Sequence, residues 1–216
     1  MVASAPRRLS VVWLRGDPQG FKTLREVMPI LEPQGIFVTS PRGGRSWLGG
    51  DVYVAPLPGS PEEAYYREFL SELRASGARL VVERDPYRAI YSAVAHPHGY
   101  YSTVAVGIDP GGRCAASAVG DGLLLWTWSG PCSGVGAAVR RAASIMPHIT
   151  FSVYLGDGPG FEEAELSLVG EGLGYSVVPE QDSTVRPVSL GVLKRLLDKD
   201  VLASATIAFR GLASGI

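Results

Sequence analysis

The sequence of 216 residues has no asparagine, three glutamines (Gln19, Gln34, Gln181) and three lysines (Lys22, Lys194, Lys199). Depletion of heat-labile amides points to a thermophilic source. The preference for Arg over Lys and the richness in Ala, Gly and Pro are equally what a GC-rich genome encodes. Two cysteines, Cys114 and Cys132, are too few for a disulfide framework or a four-ligand zinc site. They read as two small buried residues, with a single strap between them as the alternative in a hyperthermophile. No apolar run approaches the roughly 18 residues of a membrane span. Arg7 and Arg8 precede the first apolar stretch, but Arg15 and Asp17 cut it short, so no secretory signal and a cytoplasmic protein are expected. A dominant charge is missing too. The chain carries 20 basic and 21 acidic residues, net charge -1. That excludes a generally basic, histone-like binder and requires any nucleic-acid surface to be local.

What is present is enough to build a core: 46% of residues are apolar and 19% charged. The first half alternates strand and helix signals. Residues 9–14 form an apolar run that ends in the turn signal Arg15-Gly16-Asp17-Pro18. Residues 21–31 follow at helical spacing and stop at Gly35, and 36–39 and 51–55 read as strands. Between them, 40–50 is a loop rich in Gly and Arg. Ser60-Pro61-Glu62-Glu63 is a helix start, with a cap, a proline in the first turn and acids at the positive end of the dipole. One helix is expected from there to Gly77, then a strand over 80–83 and a helix over 86–95. This predicts a layered α/β unit over 1–97. Ala95-His96-Pro97-His98-Gly99-Tyr100-Tyr101 reads as the linker to a second unit, 98–216. Charge shifts weakly across it, with net +2 in residues 1–100 and net -3 in 101–216.

The second half opens with three apolar runs, 103–108, 114–119 and 123–128. Gly120-Asp121-Gly122 joins the last two, and Asp-Gly between apolar runs is a hairpin signal, so the three read as an antiparallel meander. A helix over 135–146, a strand over 151–155, a helix over 161–172, a strand over 175–178 and helices over 189–197 and 200–212 complete the expected order. The predicted class is therefore α/β, a mixed sheet with flanking helices. Acids occupy the places where apolar elements emerge. Asp109 ends the first strand of the meander, Asp157 ends the fourth strand, and Asp198 and Asp200 stand at the start of the last helix. Carboxylates converging at one sheet edge repel one another unless a cation compensates. Hard oxygen donors of this kind suit Mg²⁺ or Mn²⁺. Two such ions about 4 Å apart activate a water and stabilise the leaving oxygen of a phosphodiester.

The string Val-Ala-Val-Gly-Ile-Asp-Pro-Gly-Gly (104–112), followed by Ala-Val-Gly-Asp-Gly (118–122), resembles the opening of the RNase H-like fold, in particular the RuvC-type Holliday junction resolvases. The resemblance covers about residues 103–212. It implies that Asp109 binds metal, with a second acid at the end of the fourth strand, matched by Asp157. It also implies a last acid at the start of the C-terminal helix, matched by Asp200 in Asp-Val-Leu-Ala-Ser-Ala-Thr-Ile-Ala. Asp198 is then a fourth ligand or a spectator. The chain departs from the pattern at Asp157, where the family usually carries Glu. Where a His or Lys commonly precedes the last acid, Lys199 is present. The resemblance implies a nuclease dependent on Mg²⁺ or Mn²⁺, with Asp109, Asp157 and Asp200 as catalytic residues and structured nucleic acid as substrate. Because RuvC-type enzymes act as dimers on four-way junctions, it also implies a homodimer. The alternative is an RNase H-like scaffold without catalysis that binds nucleic acid or a protein partner. Sugar-kinase and actin-like ATPases share the Gly-Ile-Asp-Pro-Gly strand ending, but that reading requires a second phosphate-binding hairpin and a much longer chain.

Arg42, Arg45 and Trp47 lie in one flexible loop, where guanidinium groups pair with phosphates and an aromatic stacks on a base. Arg140 and Arg141 on the helix after the meander, and Lys199, are further candidates for contact with nucleic acid. For each of these the competing reading is an ordinary solvated surface. Asp109, Asp157 and Asp200 have their own plain readings as turn formers and a helix cap. Glu162 and Glu163 are expected as favourable charges at a helix N-terminus. His96, His98 and His148 do not fall at ligand spacing, and Trp126 and Trp128 share one face of a strand, as core residues do. Asp17-Pro18 repeats the Asp109-Pro110 pairing, which reads as a common turn signal recurring by chance, the alternative being the trace of a duplication with Asp17 as the relic of a metal position.

Overall fold

The computed structural model describes residues 8–40, 50–179 and 197–214. The chain is α/β and divides into two compact units, Met1–Tyr100 and Tyr101–Ile216. Among the described residues no helix is long and apolar enough to cross a membrane.

In the first unit, β1 (Leu9–Trp13), β2 (Ile36–Thr39), β3 (Val52–Val54) and β4 (Arg79–Val81) make an all-parallel sheet in the order β2-β1-β3-β4. A parallel sheet is covered on both faces, so its central strands are apolar throughout rather than alternating. Val11, Val12, Trp13 and Leu14 are accordingly all buried. Helices α1 (Pro18–Leu31), α2 (Pro61–Tyr65) and α4 (Pro86–Val94) start in the same way, with a capping side chain followed by proline. Asp17 accepts the Gly20 N–H at 2.8 Å, Ser60 that of Glu63 at 3.2 Å, and Asp85 those of Tyr87 and Arg88 at 2.8 and 3.0 Å. The single helix expected over 60–77 is broken at Tyr66, and its second part is α3 (Arg67–Ala75). Tyr66, Phe69, Leu70 and Leu73 pack with Val12, Leu14, Tyr53 and Ala55, whereas Tyr65 is exposed.

In the second unit, β5 (Tyr101–Pro110), β6 (Cys114–Gly120) and β7 (Leu123–Gly130) form an antiparallel meander. The β6–β7 turn needs left-handed backbone at both central positions. Asp121 at φ 46° and Gly122 at φ 87° supply it. After α5 (Val135–Ile145), β8 (His148–Gly156) returns parallel to β5. After α6 (Phe161–Gly170), β9 (Ser176–Val178) adds parallel to β8. The sheet order is β7-β6-β5-β8-β9, with β5 central. The last helix, α7 (Lys199–Ser214), packs on β5, β6 and β8. The helix expected over 189–197 falls almost wholly outside the described residues.

The close approach of α7 follows from small residues. A Cβ on Gly107 would collide with the Ser204 carbonyl and the Ala208 amide, so the helix backbone rests directly on β5. A buried hydroxyl pair, Ser117 Oγ and Ser204 Oγ at 2.6 Å, ties it to β6, and Ser117 Oγ also lies 3.1 Å from the Val201 carbonyl. Gly211 gives the same close approach against Tyr154 on β8.

Candidate functional site

The acids are positioned by strand alternation and helix periodicity. Gly107 faces α7, so Asp109, two residues on, points to the same face of the sheet. It is half-buried and sits opposite Ala115 of β6. On the other side, Ile108 pairs with Leu155 of β8, which sets Gly156 beside Asp109 and makes the exposed Asp157 the next residue. Asp109 and Asp157 therefore stand at the carboxyl ends of adjacent parallel strands. A Cβ on Gly156 would lie 3.0 Å from Ile207 and 3.2 Å from Pro110, so this edge is closely packed under α7.

Asp198 caps α7, its Oδ1 accepting the Val201 N–H at 2.9 Å. Asp200 lies four residues before Ser204, seven before Ile207 and eleven before Gly211, the stripe that touches β6 and β8. It is thus the first residue of the sheet-facing stripe, and it is exposed. Lys199 beside it is exposed as well. The donor types suit a hard cation, but they are not gathered into a cage. Among the described residues no group of three or more His, Cys, Asp or Glu side chains stands close enough to hold a metal ion.

The basic candidates fall elsewhere. Arg42, Arg45 and Trp47 lie outside the described residues. Arg140 pairs with Glu171, Nε to Oε2 at 2.5 Å, and Arg141 is exposed. Both are on α5, which begins beside the disulfide and Trp128, on the sheet face opposite α7. Glu163 is used structurally, its Oε1 accepting the Ser133 N–H at 3.0 Å. His98 stacks on Tyr100, and His96 Nδ1 lies 3.5 Å from the Arg79 guanidinium.

Two features have little signal in the sequence. The first is Arg15, read there as part of a turn. It is 2% exposed and spans the carboxyl edge of the parallel sheet. Its Nε donates to Asp17 Oδ2 at 2.8 Å, and its terminal nitrogens donate to the carbonyls of Glu83 and Arg84 at 3.0 and 3.2 Å. Its guanidinium lies 5.5 Å from the Trp13 ring centroid. Burial pushes the Asp17 carboxyl up, but the Arg15 guanidinium and the Gly20 N–H outweigh it and hold the group below its ordinary value of 3.8. Open α/β sheets take ligands where strand order reverses, here between β1 and β3. Arg15 lies along that edge and is engaged by the chain's own groups. The second feature is the cysteine pair. Read from sequence as two small buried residues, Cys114 and Cys132 are buried and joined in a disulfide.

No protein-family model and no curated protein matches this sequence. Among solved structures it is similar to a chain described as "PilM-PilN type IV pilus biogenesis complex", at 13% identity and a TM-score of 0.28. The match covers 69% of this chain and spans 58% of that one, a likeness too low to bear on fold or function.

Proposed function

We propose that residues 101–216 form an RNase H-like domain that hydrolyses phosphodiesters in structured nucleic acid with Mg²⁺ or Mn²⁺. The observation that carries the reading is a pair of carboxylates at one sheet edge, with a third at the start of the helix that packs on the sheet. Asp109 ends the central strand on the α7 face, Asp157 follows the adjacent parallel strand, and Asp200 opens the sheet-facing stripe of α7. The order of elements, a meander followed by alternating helices and parallel strands and a closing helix, is the order the sequence resemblance implies.

In this reading Asp109 and Asp157 are the principal ligands, Asp200 completes the set, and Asp198 stays on the helix end as its cap. The bound ions supply an activated water and charge stabilisation for the leaving oxygen. The chain's part is to hold carboxylates at a rigid strand end. Gly107 and Gly156 let α7 lie directly on the sheet, with Val201 of its first turn beside Ser117 of β6. Lys199 is available to a phosphate beside Asp200, and a second copy of the chain would present a second such edge to a branched substrate.

A second reading is favoured by one observation, the lack of a gathered group of three ligands among the described residues. It is an RNase H-like scaffold that binds nucleic acid or a protein without cleaving. The test is cleavage of labelled four-way junction, RNA–DNA hybrid and single strand with Mn²⁺, comparing the native chain with Asp109→Asn. Loss of cleavage by about 10²-fold or more in the variant is the expected result, the size of several kcal/mol of transition-state stabilisation. Absence of cleavage on every substrate, with binding equal in both proteins, favours the scaffold.

A further inference from the structure

The turns that carry Asp109 and Asp157 meet at the Cys114–Cys132 disulfide. Cys114 is the first residue of β6 and pairs with Pro110 across the ladder. Cys132 opens the short 3-10 turn before α5. The bond closes a separation of 18 residues, and both residues are buried. Gly160, at the end of the turn that begins with Asp157, donates its N–H to the Pro110 carbonyl at 3.3 Å. A Cβ on Gly160 would lie 2.6 Å from the Gly111 carbonyl oxygen and 3.0 Å from Cys132 Sγ. The β5–β6 turn, the β8–α6 turn and the sulfur bridge are thus stacked without space between them.

The two sides of the bridge are held unequally. On the Cys132 side, Glu163 accepts the Ser133 N–H at 3.0 Å, Ser167 Oγ donates to the Ser133 carbonyl at 2.8 Å, and the Gly136 N–H donates to Ser167 Oγ at 2.9 Å. Helix α6 holds that segment through hydrogen bonds that do not involve the sulfurs. On the Cys114 side, Cys114 itself is held in the ladder between Pro110 and Gly130, but the turn before it passes through Gly111 and Gly112, which have no side chains to anchor it, and a Cβ on Gly112 would meet nothing within 4 Å. The sulfur bridge is therefore the covalent tie between this turn and the α5–α6 layer.

We propose that the Cys114–Cys132 disulfide is a redox latch that sets the position of the Asp109 turn against the Asp157 turn, and through it the affinity of this edge for a divalent cation. The second half of this inference rests on the metal-site reading; the first does not. The latch opens by exchange with a dithiol. One thiolate of the dithiol attacks a protein sulfur and forms a mixed disulfide, and the second thiolate closes the reagent into its own disulfide. The protein S–S bond is reduced to two thiols, the dithiol supplying both electrons and both protons.

The experiment compares the full chain, oxidised and reduced by dithiothreitol, with the thiols counted in each state. Amide exchange is followed by mass spectrometry over 109–113 and 157–163, and Mn²⁺ affinity by calorimetry. Exchange about tenfold faster in those two segments on reduction, with the remaining sheet protected, is the expected result. Mn²⁺ affinity is expected to fall about tenfold, the effect of loosening groups that support ligands. The Cys114→Ser, Cys132→Ser double variant should match the reduced chain and ignore the reductant. Unchanged exchange in both segments overturns the latch, and so does a rise spread evenly over the unit, because the bond would then hold the whole fold. Equal Mn²⁺ affinity in the two states overturns the coupling to the cation. Faster exchange confined to the turns, with no Mn²⁺ bound in either state, upholds the latch and defeats the metal-site reading.

Discussion

Thr23 and Asp17 lie within one stretch of α1 and its cap and show opposite uses of a buried polar group. Thr23 Oγ1 is buried and meets no hydrogen-bond partner among the described residues, as does Trp13 Nε1. An unsatisfied hydroxyl loses its hydration with nothing in return. Thr23→Val keeps the shape and removes the penalty. It should stabilise the chain by about 1 kcal/mol and raise Tm by roughly 2–4 °C in calorimetry; a lower Tm would show that the hydroxyl is satisfied. Asp17 is the satisfied case, 24% exposed against a guanidinium that is 2% exposed. Its carboxyl sits below 3.8 in the folded chain. The native state therefore binds that proton less readily than the unfolded one. The contribution is complete above pH 3.8 and is lost as pH falls through the lowered value. Asp17→Asn keeps a capping oxygen but leaves Arg15 without its charge partner, so it should cost about 2 kcal/mol near neutral pH. Urea titrations of both proteins should converge in acid, once pH has fallen below the lowered native value and the carboxyl is protonated in both states. A gap that persists in acid would assign the loss to packing instead.

Strand pairing rather than any single residue sets Asp109 and Asp157 at one edge, and α7 is the element that would have to add Asp200 to them. Its contact with β5 depends on the bare face of Gly107 beneath Ser204 and Ala208. Gly107→Ala has to push the helix off the strand and should cost about 3 kcal/mol, read as a lower midpoint in urea with an unchanged slope. If the proposed site is real, cleavage should fall further than stability alone explains, because the first turn of α7 moves with the helix. A variant of native stability would show that the helix packs elsewhere. Much at this scale was legible. Ser60-Pro61 marked the start of α2, a helix was expected over 86–95 where α4 lies, and Asp121-Gly122 marked the β6–β7 turn, whereas Asp17-Pro18, read as a turn, is the cap and first residue of α1. Apolar runs ending in Asp marked the ends of β5 and β8. What was not legible depends on partners distant in sequence. β8 starts at His148 rather than 151 because its first residues pair through the backbone with β5, while Ile149 and Thr150 are exposed and leave no burial pattern. The break at Tyr66 depends on the core that Tyr66 joins. Likewise the face to which Asp109 points follows from Gly107 meeting α7, and the cysteine bond from a ladder that brings residues 114 and 132 together.

At the scale of the whole molecule, two sheets of different construction divide the chain, one all-parallel and one mixed. Each has its own buried strands, Val11 to Leu14 in the first and Val104 to Ile108 in the second. Both lie within the ordinary size range of independent domains. The candidate carboxylates, the disulfide and α7 all belong to Tyr101–Ile216, whereas Arg42, Arg45 and Trp47 belong to Met1–Tyr100. The net charge of -3 in the second unit offers no general attraction for phosphate, so the nucleic-acid binding proposed for it would depend on the proposed cations and on single residues such as Lys199. It follows that residues 101–216 produced alone should fold, unfold cooperatively on heating, and retain the Mn²⁺-dependent cleavage proposed for the full chain. Affinity for nucleic acid should fall, with a shallower dependence on salt, if the first unit supplies phosphate contacts through Arg42 and Arg45. Scanning calorimetry, a salt titration of binding and the cleavage assay on the fragment decide the matter together. A folded fragment that binds and cleaves like the full chain would leave the first unit without a part in substrate recognition. A fragment with no cooperative transition would mean that the second sheet depends on the first for its stability.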